Sequence, residues 1–81
     1  MTKTQQVQIA AILTTLAEVE YAPESIVYLA GQFSSLDDWY QLKYALTHAG
    51  LISESNNAVT ITPSGKALAT KINDALASVP S

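Results

Sequence analysis

The side chains of this 81-residue chain with the most chemical capacity are an adjacent carboxylate pair, Asp37-Asp38, one histidine, His48, and four lysines, Lys3, Lys43, Lys66 and Lys71. Two carboxylates divide acid and base work only if they face a common point, and adjacent residues of a helix project about 100° apart. Asp37 and Asp38 are better explained as charges at a helix start, where the backbone dipole favours them. His48 has no cysteine or second histidine with which to hold a metal. As the base of a serine nucleophile it would need an orienting carboxylate and a motif such as Gly-x-Ser-x-Gly, and the chain contains no such motif. The expectation is no enzyme, no metal site and no cofactor.

What remains is contact chemistry. Tyr40 and Tyr44 fall one helical turn apart with Gln41 between them. Either they are partly buried under a neighbouring helix or subunit, as tyrosine often is, or they form a contact surface able to meet bases or another protein. Ser35 and Asp37 at the start of the same segment, and Asn56-Asn57 at a turn further on, complete the candidate contact set. The charge balance bears on the partner. There is no arginine, and four lysines stand against seven carboxylates, for a net charge of −3. Attraction to phosphate supplies most DNA affinity and grows with the number of phosphates neutralised, so DNA binding by this chain would be weak or need a basic partner.

These side chains must be positioned by a small set of elements. Thr2 and Gln5 have the spacing of a capping box, and Ile9, Ile12, Leu13 and Leu16 recur at helical intervals, which predicts a first helix over 4–20. Tyr21-Ala22-Pro23 breaks it. Pro23 suits the first turn of a short second helix ending at Ala30, with Gly31 as a left-handed stop and Phe33 as an apolar anchor in the connection. Ser35 caps a third helix that presents Leu36, Trp39, Leu42, Leu46 and Ala49 on one face and Asp37, Tyr40, Gln41, Tyr44 and His48 on the other. Gly50 ends it. From Leu51 to Thr62 the periodicity switches toward two, and Asn56-Asn57 suits the tip of a two-residue hairpin turn. Thr62-Pro63 opens a fourth helix running to about Ser78, with Leu68, Ile72, Ala75, Leu76 and Val79 in one stripe; Gly65 in its first turn marks a close approach of backbones.

The expected fold is therefore one α+β domain over residues 1–81, mostly helical, in the order of a winged helix: three helices, a hairpin, and a fourth helix. The longest apolar runs fall far short of the roughly 20 residues of a membrane span, and the opening residues lack a signal-peptide pattern. A cytoplasmic protein with no membrane partner is expected. An apolar fraction of 48% is high for so short a chain, and small cores are marginal. A homodimer through the first and fourth helices is expected on that ground.

Tyr44-Ala-Leu-Thr-His-Ala-Gly-Leu-Ile52, followed by Ile61-Thr-Pro-Ser-Gly-Lys-Ala-Leu68, resembles the MarR and PadR groups of winged-helix transcriptional regulators. In those groups a recognition helix runs into Gly-Leu-Ile/Val, and the second wing strand runs into Leu-Thr-x-x-Gly-x-x-Leu. The resemblance spans about Phe33 to Ile72. It implies a DNA-binding regulator with the third helix in the major groove and the hairpin beside the backbone. The chain departs from the pattern at the positions that would touch DNA, where it has Glu54-Ser-Asn-Asn-Ala58 in the wing and Asp37-Asp38 opening the helix. Two readings follow: a small homodimeric DNA-binding regulator, or an acidic winged-helix module, phage-type or regulatory, that kept the fold and binds a protein. They differ in whether the lysines converge on the start of the third helix or Asp37, Asp38 and Glu54 leave that surface negative.

Overall fold

Four helices and three short strands follow one another in the computed structural model, which describes residues 2–77. They are α1 (Lys3–Val19), β1 (Tyr21–Pro23), α2 (Glu24–Gly31), α3 (Leu36–His48), β2 (Ile52–Ser55), β3 (Ala58–Ile61) and α4 (Pro63–Ala77). The architecture is α+β and mostly helical, with a winged-helix-like order. The capping box is present at the head of α1: Gln5 N–H donates to Thr2 Oγ1 at 3.1 Å, and Thr2 N–H donates to Gln5 Oε1 at 3.0 Å. Ser35 Oγ likewise accepts from Asp38 N–H at 3.3 Å to start α3. At α4, Thr62 Oγ1 accepts from Gly65 N–H at 3.1 Å, so threonine caps and Pro63 takes the first position, where a missing donor costs nothing. The expected end of α4 at Ser78, the side chain of Leu76, and Val79 lie outside the described residues.

The hairpin turns on Asn56 and Asn57, both with positive φ (53° and 64°), as a two-residue turn matched to strand twist requires. The sheet has a third member that periodicity did not reveal. Tyr21-Ala22-Pro23 is a strand, paired antiparallel with β3 in the register Ala22↔Val59 and giving the order β1-β3-β2. Pro23 is accommodated because β1 is an edge strand.

Three expectations are corrected. Gly31 is the last residue of α2, and the left-handed position falls on Gln32 (φ 53°, ψ 49°). Glycine is needed at 31 for space, since a Cβ there would run into the Phe33 ring. Leu36 does not face the core: it is 54% exposed, while Trp39, Leu42 and Leu46 of the same helix are buried. Ala49 is also exposed. Leu36 lies toward the cleft between α2 and α3, which it lines with Tyr28 and Tyr40, while Phe33 and Trp39 on either side of it in sequence enter the core.

The core gathers Ile12, Leu13 and Leu16 from α1, Val27 from α2, Trp39, Leu42 and Leu46 from α3, Ile52, Val59 and Ile61 from the sheet, and Ala69 from α4. Leu13 and Leu16 are fully enclosed within one chain, and Ile9, Leu68 and Ile72 pack against this cluster. On this side α1 is closed over by α2, α4, β1 and β3, while Val7 and Val19 remain exposed.

Gly65 locks α4 to the strand entry. A Cβ built there would overlap the Leu51 carbonyl oxygen and lie 2.8 Å from Ile61 Cγ1. The Leu51 carbonyl already accepts from Thr62 N–H at 3.1 Å and cannot withdraw without losing that bond. Gly65→Ala is therefore expected to destabilise the fold by about 1–3 kcal/mol, outweighing the roughly 1 kcal/mol helix preference of alanine over glycine. Urea unfolding measures it, and a midpoint unchanged or raised would show that the contact is not tight.

Candidate functional site

The candidate surface is built on α3. Its buried side, Trp39-Leu42-Leu46, fixes the helix against the core, so the residues one helical step away are displayed by default. Asp37, Tyr40, Gln41, Tyr44 and His48 are all exposed, Tyr44 by 67%. Both tyrosines thus escape burial under a neighbouring helix. His48 Nε2 lies 2.8 Å from Tyr44 Oη, and the two rings meet edge to face at 4.6 Å, so this pair is braced from within the helix.

At the edge of this surface, beside Tyr40, sits a polar knot. Lys43 Nζ donates to Glu24 Oε1 at 2.7 Å and to Glu54 Oε2 at 3.0 Å. Trp39 Nε1–H donates to the same Glu24 Oε1 at 2.9 Å. The ammonium also stands 4.9 Å from the Tyr40 ring centroid, within the range of cation–π attraction. One cation thereby ties α3 to the head of α2 and to the hairpin. Glu54 reaches it because it lies on the same strand face as Ile52: two residues along, past the edge of the core.

The electrostatics follow from these bonds. The Glu24 carboxyl is held below its ordinary value of 4.5, chiefly by its hydrogen bond from Lys43 and further by that from Trp39; partial burial opposes this without cancelling it. Burial pulls Lys43 down, but the bonds to Glu24 and Glu54 outweigh it and its pKa is raised. Glu24 and Lys43 are therefore both charged at neutral pH, and the one ammonium is shared between two carboxyl groups.

The expected contact residues divide. Ser35 is engaged in capping α3. Asp37, Tyr40, Gln41 and Tyr44 share the displayed side of the helix. Asp38 parts from Asp37 and lines a polar cleft toward the head of α1, with Thr2, Gln5, Gln8 and Gln41. Asn56 and Asn57 are exposed, but the tip is fastened to α2, where Glu24 N–H donates to the Asn57 carbonyl at 2.9 Å. The hairpin is thus an anchored strand pair, with β1 on its other side.

The lysines do not converge on the start of α3. Lys43 is inside the knot, Lys66 pairs with Glu20 at 3.3 Å, Lys71 belongs to α4, and only Lys3, at the head of α1 beside Gly31 and Gln32, lies toward the connection that leads into α3. Around α3 and the hairpin the charged groups are Asp37, Asp38, Glu24 and Glu54 against Lys43, a negative surface. Among the described residues no group of three or more His, Cys, Asp or Glu side chains is placed to share a metal ion, and no helix is long and apolar enough to cross a membrane.

In the sequence Lys43 stands only as one of four dispersed lysines, and nothing singles out Glu24. The local half of the knot had a signal, since Trp39 and Lys43 are four apart on one helix and meet on one side. The partner from α2 had none. No protein-family model matches the chain, and no curated protein matches it in sequence.

The knot makes stability depend on pH. A carboxylate that binds its proton less readily folded than unfolded contributes stability where both states are ionised, and that contribution is lost as pH falls from about 4.5 through the folded value. Between neutral pH and that acid range, wild-type stability should fall more steeply than that of Glu24→Gln, which keeps an acceptor for Trp39 and has no carboxyl to titrate. Urea melts across pH measure it; parallel curves for the two proteins would show that Glu24 is not the group responsible.

Proposed function

We propose that this chain is an acidic winged-helix-like interaction module that engages a protein partner through the exposed side of α3 and does not itself grip DNA. The observation that carries this reading is the condition of Lys43, the one lysine on α3 or the hairpin, which is bonded to two carboxylates while the first turn of the same helix carries Asp37 and Asp38. DNA-binding surfaces draw most of their affinity from cations that replace counterions on phosphates, commonly about 6–10 contacts for a well-bound protein. Lys43 keeps only one N–H beyond those given to Glu24 and Glu54, and its single charge is already outweighed by these two carboxylates, which would face the duplex with it. Exposed tyrosines, by contrast, are favoured in protein interfaces, where they bring large contact area at low entropic cost.

The second reading, a homodimeric DNA-binding transcription regulator with α3 as recognition helix, is supported by the element order and by the display of Tyr40, Gln41 and Tyr44 beside a hairpin. Its dimer would not rest on Leu13 and Leu16, which one chain encloses. It would use the apolar groove of about 390 Å³ among Ile9, Ala10, Ala45, Ala49, Leu68 and Ile72.

Titration with random-sequence duplex DNA at low and moderate salt separates the two, with Asp37→Asn/Asp38→Asn in parallel, since asparagine still suits a helix start. The interaction-module reading predicts no saturable binding by either protein. Saturable binding that weakens steeply with salt and strengthens in the double variant would overturn it in favour of the regulator. Sedimentation of the same samples reads the oligomeric state, and a dimer dissociated by Ile72→Lys would place its interface on that groove.

A further inference from the structure

We infer that the groove between α2 and α3 is the anchor site for a basic amphipathic helix of a partner protein, a proposal that rests on the interaction-module reading and names its partner class. The groove is walled by Ser25 and Tyr28 of α2 and by Leu36 and Tyr40 of α3, with Trp39 at its base and Glu24 at its edge. Its apolar walls are displayed rather than closed: Leu36 is 54% and Tyr40 is 49% exposed. The base is rigid, because Tyr28 stacks on Phe33 at 5.9 Å, Phe33 meets Trp39 at 5.4 Å, and the Trp39 indole is pinned by Glu24. An aromatic pocket that cannot collapse in the absence of its occupant avoids much of the ordering cost of binding.

Size and charge define the occupant. The cavity is about 250 Å³, below the roughly 300–1,000 Å³ of pockets that enclose whole small molecules, so it fits one or two large apolar side chains projecting from a larger body. Apolar anchors spaced along one face of a helix enter such a slot between two helices. The rim is negative. Glu24 borders the groove with Glu54 joined to it through Lys43, and Asp37 lies one turn before Tyr40 on the displayed side of α3. Lys43, the only cation at this rim among the described residues, is already matched twice over. A helix with lysine or arginine flanking its apolar anchors complements this rim, whereas an acidic segment, duplex DNA or a second copy of this acidic chain would bring like charge to it. The larger groove beside α4 carries no comparable charge to select an occupant.

The test selects binders from a displayed library of random amphipathic helical peptides on the immobilised full chain, then measures synthetic versions of the recovered peptides against variants. The proposal expects recovered sequences rich in lysine or arginine with a large apolar residue at their centre. It also expects affinity reduced at least about tenfold by Leu36→Ser/Tyr40→Ser, as loss of a central anchor does. Asp37→Asn should lower affinity less and flatten its salt dependence. Thermal melts of each variant confirm that the exposed substitutions leave the fold intact. Basic peptides that bind equally to Leu36→Ser/Tyr40→Ser and lose affinity in Tyr44→Ser would remove the groove while keeping a protein-binding α3. Recovered peptides without basic residues would overturn the partner class. A library that yields no binder, with saturable duplex DNA binding by the same protein, would remove the interaction-module reading itself.

Discussion

The Lys43 ammonium, held between Glu24 and Glu54, is the interaction on which the rest of this surface depends. It lies where three elements that are far apart in sequence converge: the head of α2, the middle of α3 and the first strand of the hairpin. Hydrogen bonds to charged groups contribute about 1.5–3 kcal/mol when partly screened from water, and both Lys43 and Glu24 side chains are largely covered. The same bonds that orient α3 against the hairpin also consume the one lysine charge carried by those two elements. Structural role and electrostatic outcome are therefore one fact: the more firmly this knot holds the elements together, the less the surface can offer a phosphate.

Around the knot the packing leaves little freedom. The Trp39 indole satisfies its N–H on Glu24 and buries its rings against Phe33, so the core and the polar knot share a residue. The hairpin is fixed at both ends, at its tip by the Asn57 carbonyl on Glu24 N–H and at its base by Gly65 against Leu51. With β1 paired along β3, the strands form a compact three-stranded sheet rather than a projecting wing. What α3 presents is correspondingly rigid, which suits a preformed binding surface better than one that must remodel on contact.

Much of the fold was legible because its signals are local. The Thr2–Gln5 capping box, Ser35 and Thr62 as caps, Gly50 with its positive φ after α3, and the Asn56-Asn57 turn each depend on residues within a few positions of one another. What was missed depends on distance in sequence. β1 is three residues long, too short for a periodicity of two to register, and it is a strand only because β3 lies beside it. Gly31 carried the composition of a left-handed stop, yet its role is set by the Phe33 ring. Leu36 matched the apolar stripe of α3 but lines the open cleft between α2 and α3. The candidate surface was legible as a helix face, from Asp37 to His48, while its decisive residue was not, since Glu24 lies 19 positions from Lys43 and 15 from Trp39.

The central claim is that Lys43 is bound to Glu24 and Glu54 and so unavailable to an outside anion. A site-resolved NMR titration of the Lys43 side-chain nitrogen tests it most directly, in the wild-type protein and in Glu24→Gln/Glu54→Gln. The account predicts a wild-type midpoint above the ordinary lysine range, falling in the double variant as the two carboxylates are removed and only burial remains to act on the ammonium. The same wild-type and variant midpoints, or a wild-type midpoint below the ordinary range, would contradict it and return a free cation to the face of α3.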